Sequence, residues 1–150
     1  MSGTTSASVA ASASASASAS VLTVGLDPVL VEDAASSRAA FPDLDVDVVR
    51  AGVAAERNRL GELGFTVDLC LLDYGRTAEA VYRAALSAKD YDLVVIGAGI
   101  RLDPALTPLL EVLVDVTREL APAAKLCFNV SPTTTVEAVQ RWWPDRKPLA

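Results

Sequence analysis

The chain has 150 residues, a net charge of −6 at pH 7, two cysteines and no histidine. Its length suits one domain of ordinary size, and an acidic chain without a basic cluster repels the phosphate backbone of nucleic acids. The lack of histidine excludes Ser-His and Cys-His nucleophile pairs, histidine general bases and histidine metal sites. Two separated cysteines, Cys70 and Cys127, are too few for a structural zinc site. We therefore predict no nucleic-acid partner, no catalytic residue, no metal site and no cofactor.

Residues 1–20 are predicted to form a disordered tail rich in serine and alanine. Residues 5–20 read TSASVAASASASASAS, and such a tract buries too little apolar surface to offset its ordering entropy. The tail lacks the basic start and the apolar stretch of a secretory signal, although chloroplast transit peptides share its Ser and Ala content. The best apolar run, Leu93 to Ile100, is far shorter than the roughly 20 residues of a membrane span. We expect a soluble, cytoplasmic protein without a membrane partner, with an organellar location as the alternative.

The first predicted strand is Val21 to Leu26, which ends at Asp27-Pro28. Residues 27–45 then form a connection longer than the usual 2–6 residues, with room for a short helix near Val29 to Ala35. This segment is either a lid or an extra helix that covers the edge of the sheet. A clear helix follows from Val46 to Leu63, capped by Asp45 or Asp47 and ended by Gly64, with an apolar stripe of Val49, Val53, Leu60 and Leu63.

The rest of the chain alternates strands with helices. Strands are predicted at Phe65 to Leu72, Leu93 to Ile96 and Lys125 to Val130. Helices are predicted at Ala78 to Ala88, with Val81, Ala84, Ala85 and Ala88 facing inward, and from Asp103-Pro104 or Thr107-Pro108 to Leu120. Thr134 and Glu137 form a capping box for a last helix, on which Val136, Val139 and Trp143 share one face before Pro144.

This alternation, with nearly continuous apolar third and fourth strands, is typical of a parallel sheet covered by helices on both faces. We predict an α/β fold: a three-layer open sheet of four parallel strands in the order 2-1-3-4, with right-handed crossovers. The domain covers residues 21–144, and residues 145–150 are a C-terminal tail. In this order Cys70 and Cys127 lie on opposite edge strands, too far apart for a disulfide.

Two strand sequences resemble those of bacterial response-regulator receiver domains, which are flavodoxin-like. Residues 90–96 read DYDLVVI and are similar to a receiver's third strand, and residues 20–24 read SVLTV and are similar to its opening strand. The resemblance covers residues 20–130. Receivers carry two acidic residues at the end of strand one, where this chain has Gly25 and Leu26, and a phospho-accepting aspartate at the end of strand three, where it has Gly97. A fifth strand with a lysine is missing, so the resemblance implies a receiver-like fold without the phosphoacceptor pocket.

A candidate ligand site follows from the predicted strand order. Ligands of open α/β sheets bind beyond the carboxyl ends of the strands where the order reverses, which is here between strands one and three. Glycines there let the backbone approach an anion, although Leu102 replaces the third glycine of a dinucleotide fingerprint. Each feature also has a simpler interpretation. In that alternative the glycines are needed only for the turn, Arg101 is solvated or ion-paired, and Asp73 only precedes its helix. The predicted ligand-binding residues for a small anionic ligand are Asp27, Gly97, Gly99, Arg101, Asn129 and Ser131, with Thr133 beside them.

Trp142 and Trp143 are neighbours on the last predicted helix, where successive side chains point about 100° apart. One should therefore pack inward and the other lie near the surface. We predict Trp142 as the interface residue for a second copy or another protein. A patch against the C-terminal tail is the alternative.

Three hypotheses for function follow. The first is a non-catalytic binding or regulatory module that keeps a receiver-like fold, motivated by the missing histidines and acidic pair. The second is a small enzyme that handles a nucleotide or another anionic metabolite with Asp27, Arg101 and Asn129. The third is an interaction protein that forms a homodimer through its last helix.

Overall fold

The computed structural model describes residues 19–149 of the chain. The predicted tail therefore lies outside the described residues except for Ala19 and Ser20, which are buried at the start of the first strand. The strands are β1 (Ser20–Leu26), β2 (Thr66–Leu72), β3 (Leu93–Ile96) and β4 (Lys125–Phe128). The helices are α1 (Pro28–Val31), α2 (Ala35–Ala40), α3 (Val46–Glu62), α4 (Ala78–Ala88), α5 (Ala98–Arg101), α6 (Thr107–Leu120) and α7 (Thr135–Gln140), with a 3₁₀ turn at Pro104–Leu106.

The four strands form one parallel sheet in the order β2-β1-β3-β4, so the predicted α/β fold and strand order are confirmed. Helices cover both faces, as in a flavodoxin-like three-layer arrangement. All four residues of β3 are buried, as expected for a central parallel strand. Cys70 and Cys127 are free thiols on the two edge strands, as predicted. No helix within residues 19–149 has the length and apolar character needed to cross a membrane.

One face of the sheet is packed against α4 and α6. The buried cluster there includes Leu22 and Val24 of β1, Tyr82 and Leu86 of α4, and Leu113 of α6. Of the residues predicted to face inward on this helix, Ala85 packs against the cluster, but Val81, Ala84 and Ala88 are exposed. Tyr82, which is fully buried, takes the inward position instead. The Tyr82 hydroxyl lies 2.6 Å from the Thr117 hydroxyl, and this hydrogen bond permits a polar group in the core.

The other face is packed against α3 and α7 in its amino-terminal half, with Leu60, Val136 and Val139 in the cluster. Helix α7 ends at Gln140, so the prediction that Trp143 lies on the last helix is wrong. A residue that precedes proline is disfavoured in helical conformation, and Pro144 follows Trp143 directly. Both tryptophans lie in the turn after the helix, half-buried against this cluster.

The ends of the helices confirm some of the predicted capping residues and contradict others. Gly64 has φ 97°, as the predicted end of α3 requires, but Leu63 is 49 % exposed and does not belong to its apolar stripe. The predicted capping box of the last helix does not form. The Thr134 hydroxyl instead accepts hydrogen bonds from the N–H groups of Val130 and Ser131, which closes the turn before α7.

Candidate functional site

A cavity of about 550 Å³ lies between α3 and the carboxyl-terminal half of the sheet. Its floor is the inner face of three strands, with Thr23, Gly25, Leu69, Leu71 and Val95. Its roof is the inward side of α3. The side walls are the α1–α2 segment and the loop that joins β4 to α7.

Helix α3 contacts β2, α7 and the loop after β4, and the cavity lies where the sheet beneath the helix is not covered by side chains. Gly52 lets α3 approach the loop after β4, where a Cβ atom on Gly52 would lie 3.2 Å from the Pro132 side chain. On the β2 side the inner face of the sheet is left partly uncovered, and Leu69 and Leu71 are 41 % and 40 % exposed. These leucines form an open mouth at the β2 edge.

Gly25 leaves the middle of the floor empty. It points to the same face of β1 as Val21 and Thr23, and a Cβ atom built on it meets nothing within 4 Å. A glycine inside a strand often marks the close approach of a ligand or another backbone. The missing side chain is therefore a main reason for the depth of the cavity.

The segment 27–45, predicted to be a lid or an extra helix, contains the two short helices α1 and α2 and forms one wall of the cavity. Pro28, Val31, Phe41 and Leu44 give it an apolar lining. The buried Ser37 hydroxyl lies 2.6 Å from the Tyr74 hydroxyl, which fastens α2 to the loop after β2.

The polar groups inside the cavity already have partners in the protein. The Glu56 side chain on α3 is buried, and the residue is only 3 % exposed. Its carboxylate accepts hydrogen bonds from the Val136 N–H at 3.2 Å and from the Arg59 guanidinium at 2.7 Å. The Asn129 side chain accepts from the Ala98 N–H at 2.8 Å and donates to the Thr135 hydroxyl at 3.1 Å. Satisfied polar groups leave the interior effectively apolar towards a ligand.

Two arginines of α3, Arg50 and Arg57, also line the cavity and are exposed. The charge of Arg57 influences the pKa of Asp68 on β2. The hydrogen bond from Lys89 chiefly holds the pKa of the Asp68 carboxyl below its usual range, followed by that from Tyr91, and the charge of Arg57 adds a smaller effect. Arg57 therefore lies close enough to the β2 edge for its charge to act there.

The structure places the sequence-predicted residues in two groups. Gly97, Gly99, Asn129 and Ser131 line the cavity, but Asp27, Arg101 and Thr133 do not. The Asp27 carboxylate accepts from the Val29 N–H at 3.0 Å and caps α1. Trp142 does not line the cavity and packs against the buried cluster on the same face of the sheet.

Arg101 lies on the opposite side of the sheet because residues 98–101 form a helical turn and not an open glycine loop. Its guanidinium lies over the Phe128 ring, 5.6 Å from the centroid, and donates to the Asn129 carbonyl at 2.9 Å. Phe128 belongs to the cluster beneath α4 and α6. Gly99 has no positive φ, so the turn does not require glycine there.

Asp73 lies in the loop that precedes α4 and stabilises that loop. Its carboxylate accepts hydrogen bonds from the N–H groups of Gly75 and Thr77, at 3.0 and 2.9 Å. The pKa of the Asp73 carboxyl is lowered chiefly by a hydrogen bond from the Thr77 hydroxyl. The hydrogen bonds from the backbone N–H groups lower it further. These hydrogen bonds close the loop before α4, and a carboxylate so engaged is poorly placed to act as a base.

Several residues of the site were not found from the sequence: Thr23, Gly25, Arg50, Glu56, Arg57, Leu69 and Leu71. Two signals were present. Gly25 interrupts an apolar strand where a branched residue is usual. Glu56 lies between Val53 and Leu60 on the inward stripe of α3, where the helical period favours an apolar side chain.

The two cysteine thiols are not activated as nucleophiles. Burial raises the pKa of the Cys70 thiol to about 11 and that of Cys127 to about 12. Both thiols are therefore protonated at neutral pH, and the thiolate is the nucleophilic form. Within residues 19–149, no three His, Cys, Asp or Glu side chains are grouped so as to hold a metal ion.

The chain was also compared with known proteins. It matches no protein-family model, no curated protein and no solved structure. The geometry of the cavity is therefore the basis for a functional proposal.

Proposed function

We propose that this protein is a non-catalytic module that binds a small, mainly apolar molecule in the cavity beneath α3. The observation that carries the proposal is the cavity itself, about 550 Å³ in volume and lined mainly by apolar side chains. Small-molecule sites in proteins typically measure about 300–1,000 Å³ and combine such a lining with a few polar groups.

The position of the cavity supports the same proposal. It extends to the residues that follow β3 and β4, at the carboxyl end of a parallel sheet, which is the end at which α/β folds bind their ligands. Gly97 and Gly99 contribute to its lining at the end of β3. The receiver-like part of the proposal is that ligand occupancy replaces phosphorylation as the signal, since Gly97 stands where receivers carry their phosphoacceptor.

An enzyme that acts on an anionic metabolite has less support. The proposed anion clamp, Arg101, lies across the sheet from the cavity and is engaged with Asn129 and Phe128. Asp27 is occupied as the cap of α1. Neither residue faces the cavity.

The substitution Gly25→Leu tests the proposal. The new side chain should extend into the empty floor, because a Cβ atom there meets nothing within 4 Å. We expect the affinity for the neutral fluorescent probe N-phenyl-1-naphthylamine to fall at least tenfold. The free energy of unfolding should remain the same or rise by about 1 kcal/mol, because an interior glycine of a strand is replaced and apolar surface is buried.

Gly61→Ala is the matched control, because Gly61 is an exposed residue of α3 outside the cavity and a Cβ atom there also meets open space. It should leave the probe affinity unchanged. Fluorescence titration and urea denaturation of the three proteins provide the comparison. A wild-type protein that does not bind the probe, or a Gly25→Leu protein that binds it as tightly as the wild type, would refute the proposed site.

A further inference from the structure

Arg50 and Arg57 are the starting point, because both line the cavity. On α3 they lie on the side opposite Gly52 and Glu56, which contact the loop after β4 and α7. They lie seven residues apart on α3, which places them nearly in line along the helix, about 10.5 Å apart. Ala54 lies between them and also lines the cavity. Its small side chain leaves space in which the two long side chains can approach one group.

Neither arginine forms an ion pair within the described part of the chain. By contrast, Arg59 pairs with Glu56 on the same helix, and Arg83 pairs with Glu79 and Glu119. Other exposed arginines, such as Arg76 and Arg118, also lack an ion pair among residues 19–149, but Arg50 and Arg57 are the two arginines that line the cavity. Guanidinium groups bind carboxylates and phosphates through paired, charge-assisted hydrogen bonds.

The charges also define an orientation for the ligand. The exposed Leu69 and Leu71 lie at the mouth, and the buried Glu56 carboxylate lies within the cavity lining. An anionic group that moved inward would lose water and find no free partner, because Glu56 and Asn129 are already engaged within the protein. At the mouth the same group would remain solvated and lie near Arg50 and Arg57.

We propose that the ligand is an anionic amphiphile: an apolar chain or ring system that fills the cavity, with one carboxylate or phosphate held at the mouth by Arg50 and Arg57. This inference rests on the proposed function, because it assumes that the cavity binds a small molecule. It adds the chemical class of the ligand and the direction in which it enters.

The test compares ligands that share one ten-carbon chain and differ only in their polar end: decanoate, decyl phosphate, decan-1-ol and decylamine. Each displaces N-phenyl-1-naphthylamine from the wild-type protein, at concentrations below those that form micelles. We expect decanoate or decyl phosphate to bind at least fivefold more tightly than the alcohol, and the amine to bind most weakly. The advantage should shrink as salt is added, since exposed charges are screened.

The double variant Arg50→Gln/Arg57→Gln should remove the advantage of the anion while it leaves the affinity for decan-1-ol unchanged. Arg50→Lys/Arg57→Lys should retain part of it, because a lysine keeps the charge but not the paired geometry. The control is Arg118→Gln, an exposed arginine of α6 on the other face of the sheet. Exposed ion pairs are worth up to about 1 kcal/mol, so each arginine should contribute about two- to fivefold.

The two proposals fail in different ways. If the alcohol displaces the probe as well as the anions do, or if the glutamine double variant keeps the preference for anions, the ligand class is wrong and the cavity remains a binding site. If none of the four compounds displaces the probe and the probe itself does not bind, the proposed function is wrong as well.

Discussion

Glu56 occupies a position where the amphipathic pattern of α3 favours an apolar residue. It is buried, but its carboxylate accepts the Val136 N–H, one of the backbone donors that α7 cannot satisfy internally. Thr134, the cap predicted from the sequence, is occupied by the turn that precedes the helix. Glu56 therefore supplies from α3 the acceptor that α7 lacks locally, across 80 positions of sequence.

Glu56→Ala should lower the free energy of unfolding by about 2 kcal/mol, because it leaves the Val136 N–H buried without an acceptor. Glu56→Gln should cost less, since the amide oxygen can still accept that hydrogen bond and the lost partner, Arg59, is largely exposed. Urea denaturation measures both variants. The control is Glu62→Ala, an exposed position at the end of the same helix, which should change stability by less than about 0.5 kcal/mol. Equal stability of the Glu56→Ala and Glu62→Ala proteins would contradict the capping role.

At the scale of elements, the order of the strands could be predicted from the sequence. It depends on the period of the apolar residues and on the handedness of the connections between strands. Apolar runs that alternate with helical segments imply parallel strands, and the handedness of crossovers leaves few orders. The cavity could not be predicted in the same way. It depends on the distance between α3 and the sheet, which Gly52 and Glu56 set through contacts with Pro132 and Val136.

Only some of the predicted ligand-binding residues line the cavity, because contacts between elements decide which side chains reach it. Asn129 was expected at the rim from its position after β4, and it does line the cavity, but its amide joins the starts of α5 and α7. Arg101 was expected beside it, and a single helical turn after β3 carries it to the other face. The position of a residue along a strand can be predicted from the sequence. The face of the sheet on which a residue lies after a short turn cannot.

Two glycines of α3 provide a test of how this helix is held. Replacing an exposed helical glycine by alanine typically gains about 0.5–1 kcal/mol, because the unfolded chain loses freedom. Gly61→Ala should show this gain. Gly52→Ala should gain less or be destabilising, because its Cβ atom would lie 3.2 Å from the Pro132 side chain and 3.3 Å from that of Thr133. Thermal or urea denaturation compares the two variants. An equal gain at both positions would show that Gly52 is not needed for the approach of α3 to this loop.

At the scale of the whole molecule, the carboxyl edge of the sheet carries three aspartates that do not converge. Asp27 follows β1, Asp73 follows β2 and Asp103 lies beyond β3. Asp27 and Asp103 each accept a backbone N–H of the helical turn that they precede, and Asp73 accepts those of Gly75 and Thr77 in the loop before α4. Parallel strands bring such residues to one edge, and receiver domains use that edge for phosphoryl transfer. Here the carboxylates at the same edge stabilise the starts of helical turns and the loop before α4.

The protein should therefore not accept a phosphoryl group from a small phosphodonor. Metal-assisted transfer to an aspartate needs carboxylates that hold Mg²⁺ together with an acceptor beside them. Asp27 is occupied by the Val29 N–H, and the residue directly after β3 is Gly97, which has no carboxylate. We expect the intact mass to remain unchanged after incubation with acetyl phosphate and Mg²⁺, with a functional receiver domain as the positive control. A stoichiometric adduct of one phosphoryl group, stable in acid and labile in alkali, would show that an aspartate at this edge is a phosphoacceptor. That result would assign the regulation of this domain to phosphorylation in place of ligand occupancy.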